Sequence, residues 1–182
     1  MRITIITVML LASCAPLAGC KRSLDEAEVR EFVDVADNAA RKRYAPEICE
    51  LRGKAFTLHQ VFQSHESQIE PTELEIDRKL YCKKLSSFSR VRQYLLERKS
   101  IDIDVANDGK TARVIADYVE TLPYYEEYAM PATPDDFREF QVLETRDESV
   151  IGIESGDLVF LRTDSNTSQS LIAKGSIRIP YD

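Results

Sequence analysis

The chain reads as an α+β domain in which amino-terminal helices pack against a curved antiparallel sheet, and three observations predict it. Apolar residues recur every three or four positions from Val29 to Ala40, the spacing of a helix with one buried stripe. After Ser100 the period falls to two, with Ile101, Ile103 and Val105 alternating with Asp102 and Asp104, which is the pattern of a half-buried strand. Helical patterns come first and strand patterns follow, an order that lays helices into the hollow of a meander, where the sheet curls around them.

The elements follow in order. Ser23 and Glu26 form a capping box that starts the first helix. Its stripe is Val29, Phe32, Val33, Ala36, Ala39 and Ala40, and the helix reaches about Tyr44. Pro46 ends it and opens a shorter helix through Ile48, Cys49 and Leu51 up to Gly53. Phe56, Leu58, Gln60 and Phe62 alternate as in a strand, although Leu58, Val61 and Phe62 also fit a helical face. Gln63 to Pro71 is a polar loop, and the run from Thr72 through Leu80, Cys82 and Leu85 fits either element. Ser87 to Arg98 reads as a helix with Phe88, Val91, Tyr94 and Leu95 on one side. The turn Asn107-Asp108-Gly109 then joins the strand ending at Val105 to a partner from Thr111 to Val119. A proline-punctuated excursion, Leu122 to Asp136, precedes strands at Phe140 to Leu143, Val150 to Ile153 and Leu158 to Thr163, the last two joined by Glu154-Ser155-Gly156-Asp157. Ser168 to Ile172 or Ile177 to Ile179 adds an edge.

This order of elements resembles the nuclear transport factor two-like superfamily, also called SnoaL-like or the cystatin-like α+β cone, over about residues 24 to 179. The resemblance implies a conical sheet around a pocket. It leaves the activity open, since the fold hosts isomerases, dehydratases, ligand carriers and structural subunits. Enzymes of this fold place an aspartate or histidine at the bottom of the pocket as general acid or base. His59, among apolar neighbours, and Asp117 with Tyr118, in a strand, are the candidates here. The structural alternatives are a satisfied histidine at position 59 and an outward charge beside an inward ring at 117 and 118. His65 lies in the polar loop, where a histidine is ordinarily solvated.

The amino terminus carries an address. Arg2 is followed by an apolar run from Ile3 to Leu11 and by small residues up to Cys20, the layout of a secretory leader and too short to span a bilayer. Leu17-Ala18-Gly19-Cys20 resembles the lipobox of bacterial lipoproteins. That resemblance implies a signal peptide over 1–19, a lipidated Cys20 with a short tether over 20–23, and one domain over 24–182. Acyl chains would then hold the protein to a membrane, each buried methylene contributing on the order of 0.8 kcal/mol. Lys21, where an aspartate would retain the protein at the inner membrane, points to the periplasmic face of the outer membrane. A second match ends at Cys14, but modification there leaves an odd thiol. Modification at Cys20 leaves Cys49 and Cys82 as an even pair in an oxidising compartment, which reads as a structural disulfide. Mass spectrometry of the mature amino terminus checks the assignment.

Charge and motifs narrow the function. Of 24 basic and 31 acidic residues only Arg2 lies in the leader, leaving 23 against 31, a net of −8. Residues 101–182 alone hold 7 basic and 17 acidic groups, or −10, a field that disfavours nucleic acid and favours a basic partner protein. No glycine spacing makes a phosphate loop, and neither HExxH, CxxC nor a Gly-x-Ser-x-Gly elbow occurs, so the sequence calls for no cofactor or metal site. In the excursion, Tyr124, Tyr125 and Tyr128 stand beside Glu126, Glu127, Asp135 and Asp136. Tyrosines supply rigid contact area and acids select a basic partner; packing of the rings onto the helices is the alternative. In architecture and charge the chain resembles small lipidated envelope inhibitors, including immunity proteins that neutralise basic cell-wall-targeting toxins. This implies a non-catalytic protein-binding module facing a secreted antibacterial effector. A small-ligand carrier or isomerase-like protein using the cone cavity, and an assembly subunit of an envelope complex, are the other two expectations.

Overall fold

The computed structural model describes residues 23–65, 69–88, 93–124 and 139–176. Helix α1 spans Glu26–Arg41, α2 Ala45–Glu50 and α3 Arg78–Phe88; strands are β1 Arg52–Gln63, β2 Thr72–Asp77, β3 Leu95–Val105, β4 Thr111–Tyr124, β5 Glu139–Glu154 and β6 Asp157–Ala173. The six strands form one curved sheet ordered β2-β1-β6-β5-β4-β3, antiparallel throughout except where β1 runs parallel to β6. This confirms the α+β cone.

Helix α1 starts two residues later than the capping box implies. The Leu24 amide donates to the Gly109 carbonyl at 2.8 Å, and its buried side chain pins the chain to the β3–β4 turn. Asp25 therefore caps the helix, accepting from the Glu28 amide at 2.8 Å. The helix buries Val29, Phe32, Val33 and Ala39 as its spacing requires. It stops at Arg41, short of Tyr44, because Arg43 takes a left-handed φ of 55°. Pro46 sits in the first turn of α2 as expected.

The larger correction concerns the third helix. It occupies residues 78–88, capped by Asp77, which accepts from the Leu80 amide at 2.8 Å. Tyr94 lies just ahead of β3, and Leu95 begins it. Cys82 thus belongs to α3, and its disulfide to Cys49 joins α3 to α2. The segments at Phe140 and Val150 are one continuous strand, and Ser168 to Ile172 extends β6 in the middle of the sheet. The β5–β6 turn is the two-residue loop Ser155-Gly156, both at positive φ (54° and 98°), matching the twist of the strands it joins. Among the described residues no helix is long and apolar enough to cross a membrane.

Candidate functional site

Strand alternation puts one series of side chains into the cone, and that series changes character along the axis. Near the β3–β4 and β5–β6 turns it is apolar. Val29, Phe32 and Val33 of α1 pack there on Phe56, Ala112, Val114, Ile151 and Phe160, with the Phe32 and Phe160 rings 5.0 Å apart. Further along, the same inward positions become polar: Tyr118 and Glu120 on β4, Ser149, Asp147 and Thr145 on β5, and Thr163, Ser165 and Thr167 on β6. These residues, with apolar groups of β1, β2 and the helices opposite, enclose a cavity of about 490 Å³, within the size range of small-ligand sites.

Three carboxyl groups line it. Asp37, buried on α1, accepts from the Tyr118 hydroxyl at 3.1 Å and pairs with Arg98 Nη1 at 2.8 Å. Burial pushes its carboxyl up, against the opposing pull of Arg98 and Tyr118. Glu120 accepts from the Tyr94 hydroxyl at 2.8 Å; burial raises this carboxyl too, and the Tyr94 bond opposes the rise. Burial likewise drives the Tyr94 and Tyr118 phenols upward, so both remain donors at neutral pH. Asp147 sits directly across from Ala116 on β4 and Ser165 on β6. Burial pushes it up to about 6, the Ser165 hydroxyl and the Arg52 charge pulling the other way. Its Oδ1 is sealed off without a hydrogen-bond partner.

Opposite charge enters the wall with Lys84, which is exposed, and with Arg52. Its guanidinium carbon lies 4.2 Å from the Phe160 ring centre, 5.3 Å from Phe56 and 5.2 Å from Tyr81, and Nη2 donates to the Tyr81 hydroxyl at 3.2 Å. Nε and Nη1, buried without conventional acceptors, face an aromatic box whose ring quadrupoles stabilise the cation. Arg78 ties this corner together, donating to the carbonyls of Arg52 (2.8 Å) and Cys49 (3.2 Å). The disulfide joins the α2 and α3 segments that supply Ile48, Tyr81 and Leu85 to the cavity wall. Among the described residues no group of three or more His, Cys, Asp or Glu side chains is placed to hold a metal ion.

The residues singled out from sequence fall differently. His59 lies between inward Leu58 and Gln60 and faces outward, 3.6 Å from Asp164 and 3.8 Å from Glu73. Asp117 also faces outward, accepting from Ser100 (2.5 Å) and Arg146 (3.2 Å), while its neighbour Tyr118 lines the cavity. Neither His59 nor Asp117 can serve the cavity; the outward charge and inward ring hold for 117 and 118. Tyr124 ends β4 opposite Glu139, its ring edge-on to His65 at 5.8 Å. Cys20, Tyr125, Glu126, Glu127, Tyr128, Asp135 and Asp136 lie outside the described residues. Asp147, Ser165 and the other inward polar groups escaped the sequence because β5 and β6 read as shorter, separate strands. The usable pattern was the alternation of Thr163, Ser165 and Thr167.

No family model matches the sequence, and no curated protein matches it. Solved structures do. A provisionally assigned scytalone dehydratase from Novosphingobium aromaticivorans superposes with a TM-score of 0.56 at 14% identity, over 84% of this chain and 89% of that one. A nuclear transport factor two-like protein of unknown function from Pseudomonas putida gives 0.55 at 12% identity, over 86% and 94%. The type 3 hexachlorocyclohexane dehydrochlorinase of Novosphingobium barchaimii gives 0.54 at 7% identity, over 86% and 97%. At such identities the likeness is one of architecture, and the domain has the nuclear transport factor two-like fold.

Proposed function

We propose that the chain binds a small, largely apolar molecule in the cone cavity and that Asp147 moves a proton to or from it. The carrying observation is Asp147, a carboxyl lining the 490 Å³ cavity and pushed up to about 6. Near neutral pH such a group populates both forms, as a general acid or base requires. The phenols of Tyr94 and Tyr118 line the same cavity, their single protons held by Glu120 and Asp37, so toward a bound molecule each phenol oxygen offers lone pairs. Solved neighbours named as a dehydratase and a dehydrochlorinase support the reading at the level of fold. An acyl anchor on Cys20 would place this pocket in the cell envelope. The partner-binding reading rests on the acidic, tyrosine-rich segment, whereas the pocket reading rests on a described cavity, and the pocket is the one adopted.

The neutral dye N-phenyl-1-naphthylamine tests it. Saturable binding of about one dye per chain is expected, with the Asp147 Cγ resonance titrating near pH 6 and shifting when dye binds. Ala116, inward and opposite Asp147, is the place to block: Ala116→Phe should abolish binding while thermal unfolding shows the fold intact. His59→Ala and Asp117→Asn, on the outer face, should bind dye as the wild type does. Dye fluorescence unaffected by Ala116→Phe would refute the cavity as the site.

A further inference from the structure

The wall around Asp147 is built as a ladder. Three consecutive inward-facing rungs pair β5 with β6: Thr145 with Thr167, Asp147 with Ser165, and Ser149 with Thr163. Each of the six residues lines the cavity. In the outer rungs the hydroxyls bond each other, at 3.1 Å for Thr145 and Thr167 and 2.9 Å for Ser149 and Thr163. Gln60 Nε2 adds a 3.4 Å bond to Thr167. A hydroxyl pair holds two protons and uses one in its mutual bond, so each outer rung keeps an O–H and lone pairs for a third group. Rungs two residues apart on extended strands lie about 7 Å from one another, so the outer rungs are about 14 Å apart.

Strands β5 and β6 are the central pair of the sheet, where inward positions ordinarily carry apolar side chains. Valine has the shape of threonine and favours strands at least as well. Five hydroxyls that are less than a tenth exposed stand around an acid whose Oδ1 lacks a partner; each hydroxyl is bonded once within the ladder, and its second hydrogen-bonding position is left for a ligand. Beside the ladder the wall changes in kind: Leu58 and Phe62 of β1 adjoin Thr163 and Thr167, with Gln60 between them, and Leu74, Ile76 and Leu85 of β2 and α3 carry the apolar surface on.

Building on the pocket reading above, we infer that the ligand is an elongated apolar molecule carrying at least two hydroxyl or carbonyl oxygens along one edge. The β5–β6 ladder reads those oxygens on either side of Asp147, while the apolar face lies against β1, β2 and α3. The ladder is thus the specificity element of the site and Asp147 its reactive centre.

Displacement of the bound dye by biphenyl, its monohydroxy derivative and its para,para′-dihydroxy derivative tests this. The wild type should bind the dihydroxy compound roughly tenfold tighter than biphenyl, with the monohydroxy compound between them, as expected for two added hydrogen bonds of ordinary net strength. The variant Thr145→Val/Thr163→Val/Thr167→Val keeps side-chain shape. It should lose that preference while binding biphenyl as well as or better than the wild type, and Ser149→Ala/Thr163→Val, which strips one rung alone, should lose part of it. If all three compounds bind the wild type equally, the ladder inference falls and the pocket reading stands. If the preference survives in both variants, the oxygens are read elsewhere and the inference falls as well. If none of the three displaces the dye from the wild type, both fall.

Discussion

Replacing Asp147 by asparagine should stabilise the protein, and only at the pH values where the carboxyl is charged. The folded chain raises this group from 3.8 to about 6, a rise of about 2 units, so at high pH folding works against roughly 3 kcal/mol at ~1.4 kcal/mol per unit. A carboxyl raised on folding contributes its full stability below the unfolded value near 3.8. That contribution is lost as pH rises through about 6. The asparagine amide cannot ionise and escapes the penalty, less what the weaker bond to Ser165 removes. Urea unfolding of the wild type and of Asp147→Asn should therefore coincide near pH 4 and diverge between pH 4 and 7. By pH 8 the variant should be the more stable by about 2 to 3 kcal/mol. Asp37 and Glu120 are raised in the same direction, so some slope of the same sign remains in the variant. A difference independent of pH, or a variant less stable at pH 8, would show that Asp147 is not a desolvated carboxyl.

Two further outcomes follow. Cys49→Ser/Cys82→Ser removes a link closing 33 residues of sequence separation, and in the chain-entropy model should lower stability by about 4 kcal/mol, read as a fall in urea midpoint with an m-value that rises as the unlinked denatured chain expands. Arg52→Met removes the cation that pulls Asp147 down; the Asp147 Cγ midpoint should move above its wild-type value near 6, and an unmoved midpoint would show that the Arg52 charge does not reach the carboxyl.

Periodicity made the first helix, the Asn107-Asp108-Gly109 hairpin and the α+β class legible, because each rests on local apolar spacing and turn chemistry. It failed where a segment's environment is set by distant partners. Tyr94 and Leu95 fit a helical face with Phe88 and Val91, yet Leu95 begins a strand opposite Thr121 of β4, a pairing invisible along the chain. Asp164 to Thr167 is polar on both faces and falls between the strands that the sequence predicts at Leu158 to Thr163 and Ser168 to Ile172, although it lies at the centre of the sheet. Its inward side faces a polar-walled cavity instead of a packed core, so the rule that central strands are apolar inward does not apply. Asp117 and His59 attracted attention as chemically capable residues, but alternation alone, counted from Ala116 and Leu58, assigns both to the outer face. The same count puts Tyr118, Glu120 and Asp147 inside.

The gradient along the cone explains how a chain with three acids in its interior folds. At the apolar end, Val29, Phe56 and Ile151 are at most 2% exposed, and each such side chain contributes about 1.5 to 3 kcal/mol by burial. One well-buried side chain there offsets about one raised carboxyl further along. Structural polar groups and ligand-facing ones then respond oppositely to substitution. Arg98 pairs with Asp37 at 2.8 Å, and removing Arg98 leaves the buried Asp37 carboxylate only the longer 3.8 Å contact to Arg41, which destabilises. The ladder hydroxyls carry no charge, and Asp147 meets the Arg52 charge with no direct ion pair. Asparagine at 147 and valine at 145, 163 and 167 should hold or raise stability while weakening recognition of an oxygenated ligand. Stability rising as binding falls is the behaviour of a site the fold maintains against its own interest, and a loss of both together would assign these residues to the core instead.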